Sequence, residues 1–172
     1  MGKIYHKTLV VSILVLILAL FVPTAGAGIQ KLDALASIFA MRPVTVECKT
    51  PAEDAILHTA WGYVWLGSNY MTLDNSLCKA MVSPDESSDW ILGVSILVIV
   101  HESYHLRNWD LQHDEAAVEC RAIRHFKVGA KLLGLSEKRI ERIFPWALTF
   151  HWRLVTKFPE YFQKSCKVPN PW

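Results

Sequence analysis

The sequence predicts a mainly helical α+β domain with a small hairpin or edge strand, carried behind an N-terminal signal or anchor segment. Three observations carry that expectation. Residues 8–22 form an apolar run without a charge behind a basic start. A second apolar run, residues 90–100, leads directly into His101-Glu102-Ser103-Tyr104-His105. Four cysteines make an even set. At 172 residues the chain suffices for one domain and its core. An apolar content of 52% excludes a disordered tail, and a net charge of +2 offers no basic footprint for nucleic acid.

The elements follow in order. Lys3, His6 and Lys7 precede the first apolar run; Pro23 breaks it, and Ala25-Gly26-Ala27 supplies a small-x-small site. That pattern describes a secretory signal peptide over residues 1–27, with the domain over 28–172. The run is short for a spanning helix, and an uncleaved signal anchor that tethers the protein is the other reading. Either way the domain is expected outside the cytoplasm, secreted or membrane-anchored. Without Lys3 and Lys7, sixteen basic residues face sixteen acidic ones, so no electrostatic partner is implied. Export favours disulfides, and Cys48–Cys78 and Cys120–Cys166 are the expected pairs among three connectivities. A thiolate metal site competes poorly, because no C-x-x-C pair is present.

Residues 29–41 carry apolar positions at helical spacing, as a short helix or a lead-in. Residues 44–46 are β-prone. Thr50, Pro51 and Glu53 form a capping-box start for a helix to about His58. Residues 61–65 and 70–73 are aromatic and β-branched around Gly67-Ser68-Asn69, which predicts a hairpin whose second arm can serve as an edge strand. Residues 75–82 read as a short helix, and residues 83–89 as a loop whose Ser87 or Ser88 caps the next helix.

Eleven apolar residues at 90–100 are too few for a bilayer and predict a buried core helix. It ends in H-E-x-x-H. Positions i and i+4 share a helix face, so His101 and His105 can reach one metal ion, and Glu102 can act as general base on water held there. Residues 106–113 are expected to break this helix at Asn108 and Asp110, and a second helix to start near Asp114. On that helix Glu115, Glu119, Ala122, Phe126 and Leu133 fall within about 60° of one another. Two carboxylates on an apolar face need a partner. We assign Glu115 as third ligand of a zinc ion and Glu119 as acceptor from a ligand imidazole's other N–H. Glu119 as ligand, or the loop residues His113 and Asp110, are the alternatives.

The set His101, Glu102, His105, Glu115, Ala116 and Glu119 resembles the zincin metallopeptidases in their gluzincin branch, where H-E-x-x-H precedes a glutamate in a pattern like E-A-x-x-[DE]. The resemblance spans about residues 90–135. It implies a zincin-like domain, bound Zn2+, a peptide or protein substrate and peptide-bond hydrolysis. Only nine residues separate His105 from Glu115, which implies a minimal scaffold with a tight turn. The resemblance also implies that an extended peptide lies along an edge strand beside the metal, a role residues 70–73 could take. The group that stabilises the oxyanion is not evident; Tyr70, His113, His125, His151 and Tyr161 are candidates. A non-catalytic metal-binding or interaction domain is the competing function.

Towards the end, Ser136 and Glu137 start a helix that Pro145 either kinks or divides. Trp146, Leu148, Phe150, Trp152, Leu154 and Phe158 are expected in the core rather than around a ligand, and residues 167–172 form a tail.

Overall fold

The computed structural model describes residues 27–107, 113–162 and 166–168. The expected signal or anchor segment, apart from Ala27, lies outside the described residues, as do Asn108, Asp110 and residues 169–172. No described helix is long and apolar enough to cross a membrane.

The described chain is mainly helical with one small sheet: α1 (Ala27–Ala40), β1 (Thr45–Lys49), β2 (Gly62–Val64), β3 (Tyr70–Asp74), α2 (Asn75–Val82), α3 (Asp89–Arg107), α4 (Glu115–Leu132) and α5 (Glu137–Lys157). Short 3-10 turns lie at Ala55–His58, Pro84–Glu86 and Pro159–Tyr161. The expected fold class holds.

Helix α3 is the axis of the molecule and touches the other four helices, β2 and β3. Its side chains are buried without a break from Leu92 to Leu106, because neighbours cover every face. Ser88 caps it, with Ile91 N 3.5 Å from the Ser88 hydroxyl and Leu92 N donating to Ser88 O. Two buried hydroxyls satisfy themselves within the helix: Ser95 and Ser103 each donate to the carbonyl four residues back, at 2.6 Å. The helix runs to Arg107, directly before Asn108.

Gly93 lets α5 approach α3 closely. A Cβ built there would lie 2.7 Å from Ile143 O and 3.3 Å from Ala147 N. Pro145 sits inside this stretch of α5, which is one helix and is not divided. Ser136 caps α5 by accepting from Arg139 N, and Asp114 caps α4 by accepting from Ala117 N at 2.9 Å. Asp89 takes Arg142 and Arg139, tying the starts of α3 and α5 together.

The sheet has the order β1-β3-β2, with β1 parallel and β2 antiparallel to β3. Residues 70–73 are therefore in the central strand and not at an edge. The expectation that they form the edge fails because β1, distant in sequence, pairs on their other side. Helix α1 covers the far edge of β1: Val46 N donates to Asp33 and Val44 N to the Ser37 hydroxyl. The exposed edge is β2.

The expected helix from Thr50 does not form. Thr50 and Glu53 do bond to each other, Thr50 N and Oγ both donating to the Glu53 carboxylate at 2.8 Å. Asp54 then accepts from Ile56 N, and the chain tightens into the turn Ala55–His58 instead.

Both disulfides are present as expected, Cys48–Cys78 joining β1 to α2 and Cys120–Cys166 joining α4 to the tail. They fit an oxidising environment.

Candidate metal centre

Three helices and one turn build the site. The i, i+4 spacing on α3 brings His101 and His105 to one face, with the Nε2 atoms 3.0 Å apart. The first turn of α4 brings the Glu115 carboxylate to 3.2 Å from His101 Nε2 and 3.3 Å from His105 Nε2. These three atoms could hold a metal ion. One turn further along α4, Glu119 accepts from His101 Nδ1 at 2.8 Å through one oxygen and from His151 Nδ1 at 2.8 Å through the other. His151 comes from α5 and closes a buried chain His101–Glu119–His151.

The donor set fits a small divalent cation. Tetrahedral ligands at zinc–nitrogen and zinc–oxygen distances of about 2.0–2.2 Å stand roughly 3.3–3.5 Å apart. The observed triangle is only slightly tighter. Glu119 stays ionised: burial pushes its carboxyl up, but the imidazoles of His101 and His151 outweigh this and bring it down to about 2. An ionised carboxylate only accepts, so His101 Nδ1 carries a hydrogen and neutral His101 presents a lone pair at Nε2. That lone pair, His105 Nε2 and the Glu115 oxygen converge, and a metal cation or a hydrogen carried on an Nε2 atom can bridge them. Burial pulls the His101 imidazole down, yet hydrogen bonds to Glu115 and Glu119 and the nearby carboxylates push it up to about 10. Glu115 is held below the usual carboxylate range, its partial burial outweighed by both histidines.

Glu102 is buried and lies beside the triangle. Desolvation raises its carboxyl, opposed by His101 and His105 and reinforced by Glu115 and Glu119. It faces two cavities. A polar cleft of ≈ 350 Å³ runs past Gly62, Tyr63 and Val64 of β2 to His105, His113 and Glu115. An apolar cavity of ≈ 250 Å³ opens towards α5. Both share Gly62, His101, Glu102 and Tyr161. Tyr161 stacks on the His101 ring, with centroids 5.9 Å apart and planes at 26°. Burial raises its phenol, helped by the charges of Glu115 and Glu102.

Of the other candidates, His113 is exposed and lines the polar cleft. His125 bonds to the Tyr104 hydroxyl and lines neither cavity, and Tyr70 is exposed on β3 and lines neither. The expected core set of α5 divides. Leu148 is buried, Trp146 and Phe158 are exposed, and Phe150, Leu154 and Phe158 line the apolar cavity.

The pairing of His151 with Glu119 escaped the sequence reading. Its signal was present: Ile140, Ile143, Ala147, His151 and Val155 recur at helical spacing, so the imidazole lies on a buried face and needs a partner.

No protein-family model, curated protein or solved structure matches the chain.

Proposed function

We propose that the protein is a zinc-dependent, gluzincin-like peptidase of an exported domain, released by signal cleavage or tethered through residues 8–22. The carrying observation is the triangle of His101, His105 and Glu115 donor atoms beside a buried Glu102 that opens on two cavities. Zinc bound there would supply a Lewis acid that activates water and polarises a carbonyl. Glu102 takes the proton of the attacking water and passes it to the leaving amine; its raised affinity for protons suits both steps. Tyr161, which lines both cavities, would be the donor to the developing oxyanion. Strand β2 runs along the cleft with an open edge, so an extended peptide can add to it there.

The test compares the purified full domain with Glu102→Gln, which keeps all three donors. One zinc per chain in both proteins, with peptide hydrolysis only in the parent, is the expected result. Full hydrolysis by Glu102→Gln would overturn the mechanism. One bound zinc without hydrolysis in either protein would favour a non-catalytic metal-binding domain.

A further inference from the structure

We infer that the outward faces of α1 and α4 form a docking surface for a bilayer that carries anionic phospholipid headgroups. The inference does not depend on the metal centre or on peptidase activity.

The two helices lie side by side and antiparallel. Lys31, near the start of α1, donates from Nζ to Leu133 O at the end of α4, at 2.6 Å. Near the other end of α1 the Phe39 ring stands 6.3 Å from that of His125, and a Cβ built on Gly129 would lie 3.6 Å from it. Both helices pack against α3 and turn their other side to solvent. On α1 that side carries Lys31, Ala34 and Ile38, and Met41 follows the last turn. On α4 it carries Arg121, Arg124, Val128 and Leu132, within about 80° of one another. Ile38, Met41, Val128 and Leu132 are 53%, 70%, 47% and 43% exposed, so large aliphatic groups adjoin on this face without cover. Met41 does so from a left-handed backbone, φ 56°, where glycine or asparagine is the easier residue.

Charge identifies what covers the face. The chain's charges nearly balance in total but not in place. From Arg121 to Leu132, α4 carries four cations and no acid. Lys127 and Lys131 are neutralised by Glu141 and Glu137 of α5. No carboxylate among the described residues pairs with Arg121, Arg124 or Arg107, the last residue of α3. The guanidiniums of Arg107 and Arg121 lie 5.6 and 6.0 Å from the centre of the same Tyr104 ring, two like charges without a counter-ion. Asp33, the one acid of α1, accepts from Val46 N of the sheet. Glu115 and Glu119 point to the metal centre from the opposite side of α4, and Asp114, two turns before Arg121, is its cap. Aliphatic groups beside free guanidiniums suit a headgroup layer, where the first reach the acyl boundary and the second meet phosphates. A nucleic acid would use the cations and leave the aliphatic groups in water. The chain also leads to this face, since α1 starts at Ala27, shortly after the apolar run 8–22. In this pose the polar cleft, which Glu115 lines from the far side of α4, stays open to water.

The test adds the purified full chain to nanodiscs of phosphatidylcholine and phosphatidylglycerol doped with a gadolinium-chelating lipid, and reads paramagnetic relaxation of methyl groups. Residues 8–22 are common to every arm, so the orientation of the domain is what is measured. Methyls of Ile38, Met41, Val128 and Leu132 should relax at least about fivefold faster than those of Val64 and Leu66 in the polar cleft. Arg121→Gln with Arg124→Gln should cut that enhancement at least about fivefold, the factor that one cation near an anionic surface is worth. Nanodiscs of phosphatidylcholine alone, or salt raised from about 0.1 to 1 M, should do the same. Met41→Gly should also reduce it while melting no lower than the parent. Lipid-free spectra establish that each variant is folded, and if the arginine pair proves structural, the lipid and salt arms decide. Equal relaxation on both sides of the domain, or an enhancement unchanged by lipid charge and salt, would overturn the inference. So would shifts of the same methyls that grow with protein concentration without lipid, which would make a second copy the occupant.

Discussion

Replacing Glu119 by glutamine changes one oxygen of a fully buried carboxylate and removes its charge. The two imidazoles that flank it, His101 and His151, each donate a 2.8 Å hydrogen bond to a different oxygen. Glutamine keeps one acceptor and offers an amide donor in place of the other. One imidazole must then lose its bond or move its hydrogen to Nε2. If that imidazole is His101, the lone pair facing Glu115 and His105 disappears. A hydrogen bond to a charged group contributes about 1.5–3 kcal/mol, which is roughly 10- to 150-fold in an equilibrium constant. Bracing residues of metal-bound histidines carry a similar weight, about 10- to 100-fold in affinity. Glu119→Gln should therefore bind zinc about 10- to 100-fold more weakly, measured by competition with a chromogenic chelator at fixed pH. Its melt in chelator should also fall below that of the parent. An affinity within threefold of the parent would refute the argument that Glu119 orients His101.

Three other perturbations follow from the geometry. Gly93→Ala should destabilise the domain by about 1–3 kcal/mol, since the new methyl meets the α5 backbone and helix propensity returns at most about 1 kcal/mol; a urea midpoint equal to or above the parent's would contradict the close contact. Removing the Cys120–Cys166 bond by paired serine substitutions opens a loop whose ends are 46 residues apart and should cost about 2–4 kcal/mol, read from the same urea titration. An unchanged midpoint would show that the tail is held without it. His101 in the metal-free protein is raised from 6.5 to about 10, so its stabilisation is fully present below about pH 6.5 and is lost as pH rises through 10. The melting temperature in chelator should fall across that window while the zinc-loaded protein changes less; parallel profiles would sink the account of a proton standing in for the metal.

What the sequence made legible was local or helical in period. The caps Ser88 and Ser136, the start of α4 near Asp114, the apolar run of α3, the hairpin and the inward acids of α4 each depend on residues a few positions apart. The cysteine pairing was readable as well, because each bond stays within one half of the chain. What escaped depends on docking between distant segments. The pairing of β1 with β3 moves residues 70–73 to the centre of the sheet, and nothing in their own alternation encodes a neighbour on the second side. Phe150, Leu154 and Phe158 have the spacing of a core stripe. Only the position of α5 over α3 shows that part of the stripe faces open space. The start at Thr50 failed for a local reason, since Asp54 competes as a cap and wins.

The buried chain His101–Glu119–His151 has a consequence for when the protein can be loaded. Its members are 18 and 32 residues apart and come from three helices that meet only in the folded domain. If the chain is exported unfolded, as the proposed reading allows, it would offer a metal no more than the i, i+4 histidine pair of a single segment. The third donor and its bracing arrive when α4 and α5 dock, and metal affinity is then gained together with folding. The ion would be taken from the compartment in which the cysteines pair, not carried out from the one in which the chain is made. On the proposed reading of an exported zinc protein, metal supply and oxidative folding would be events at one place.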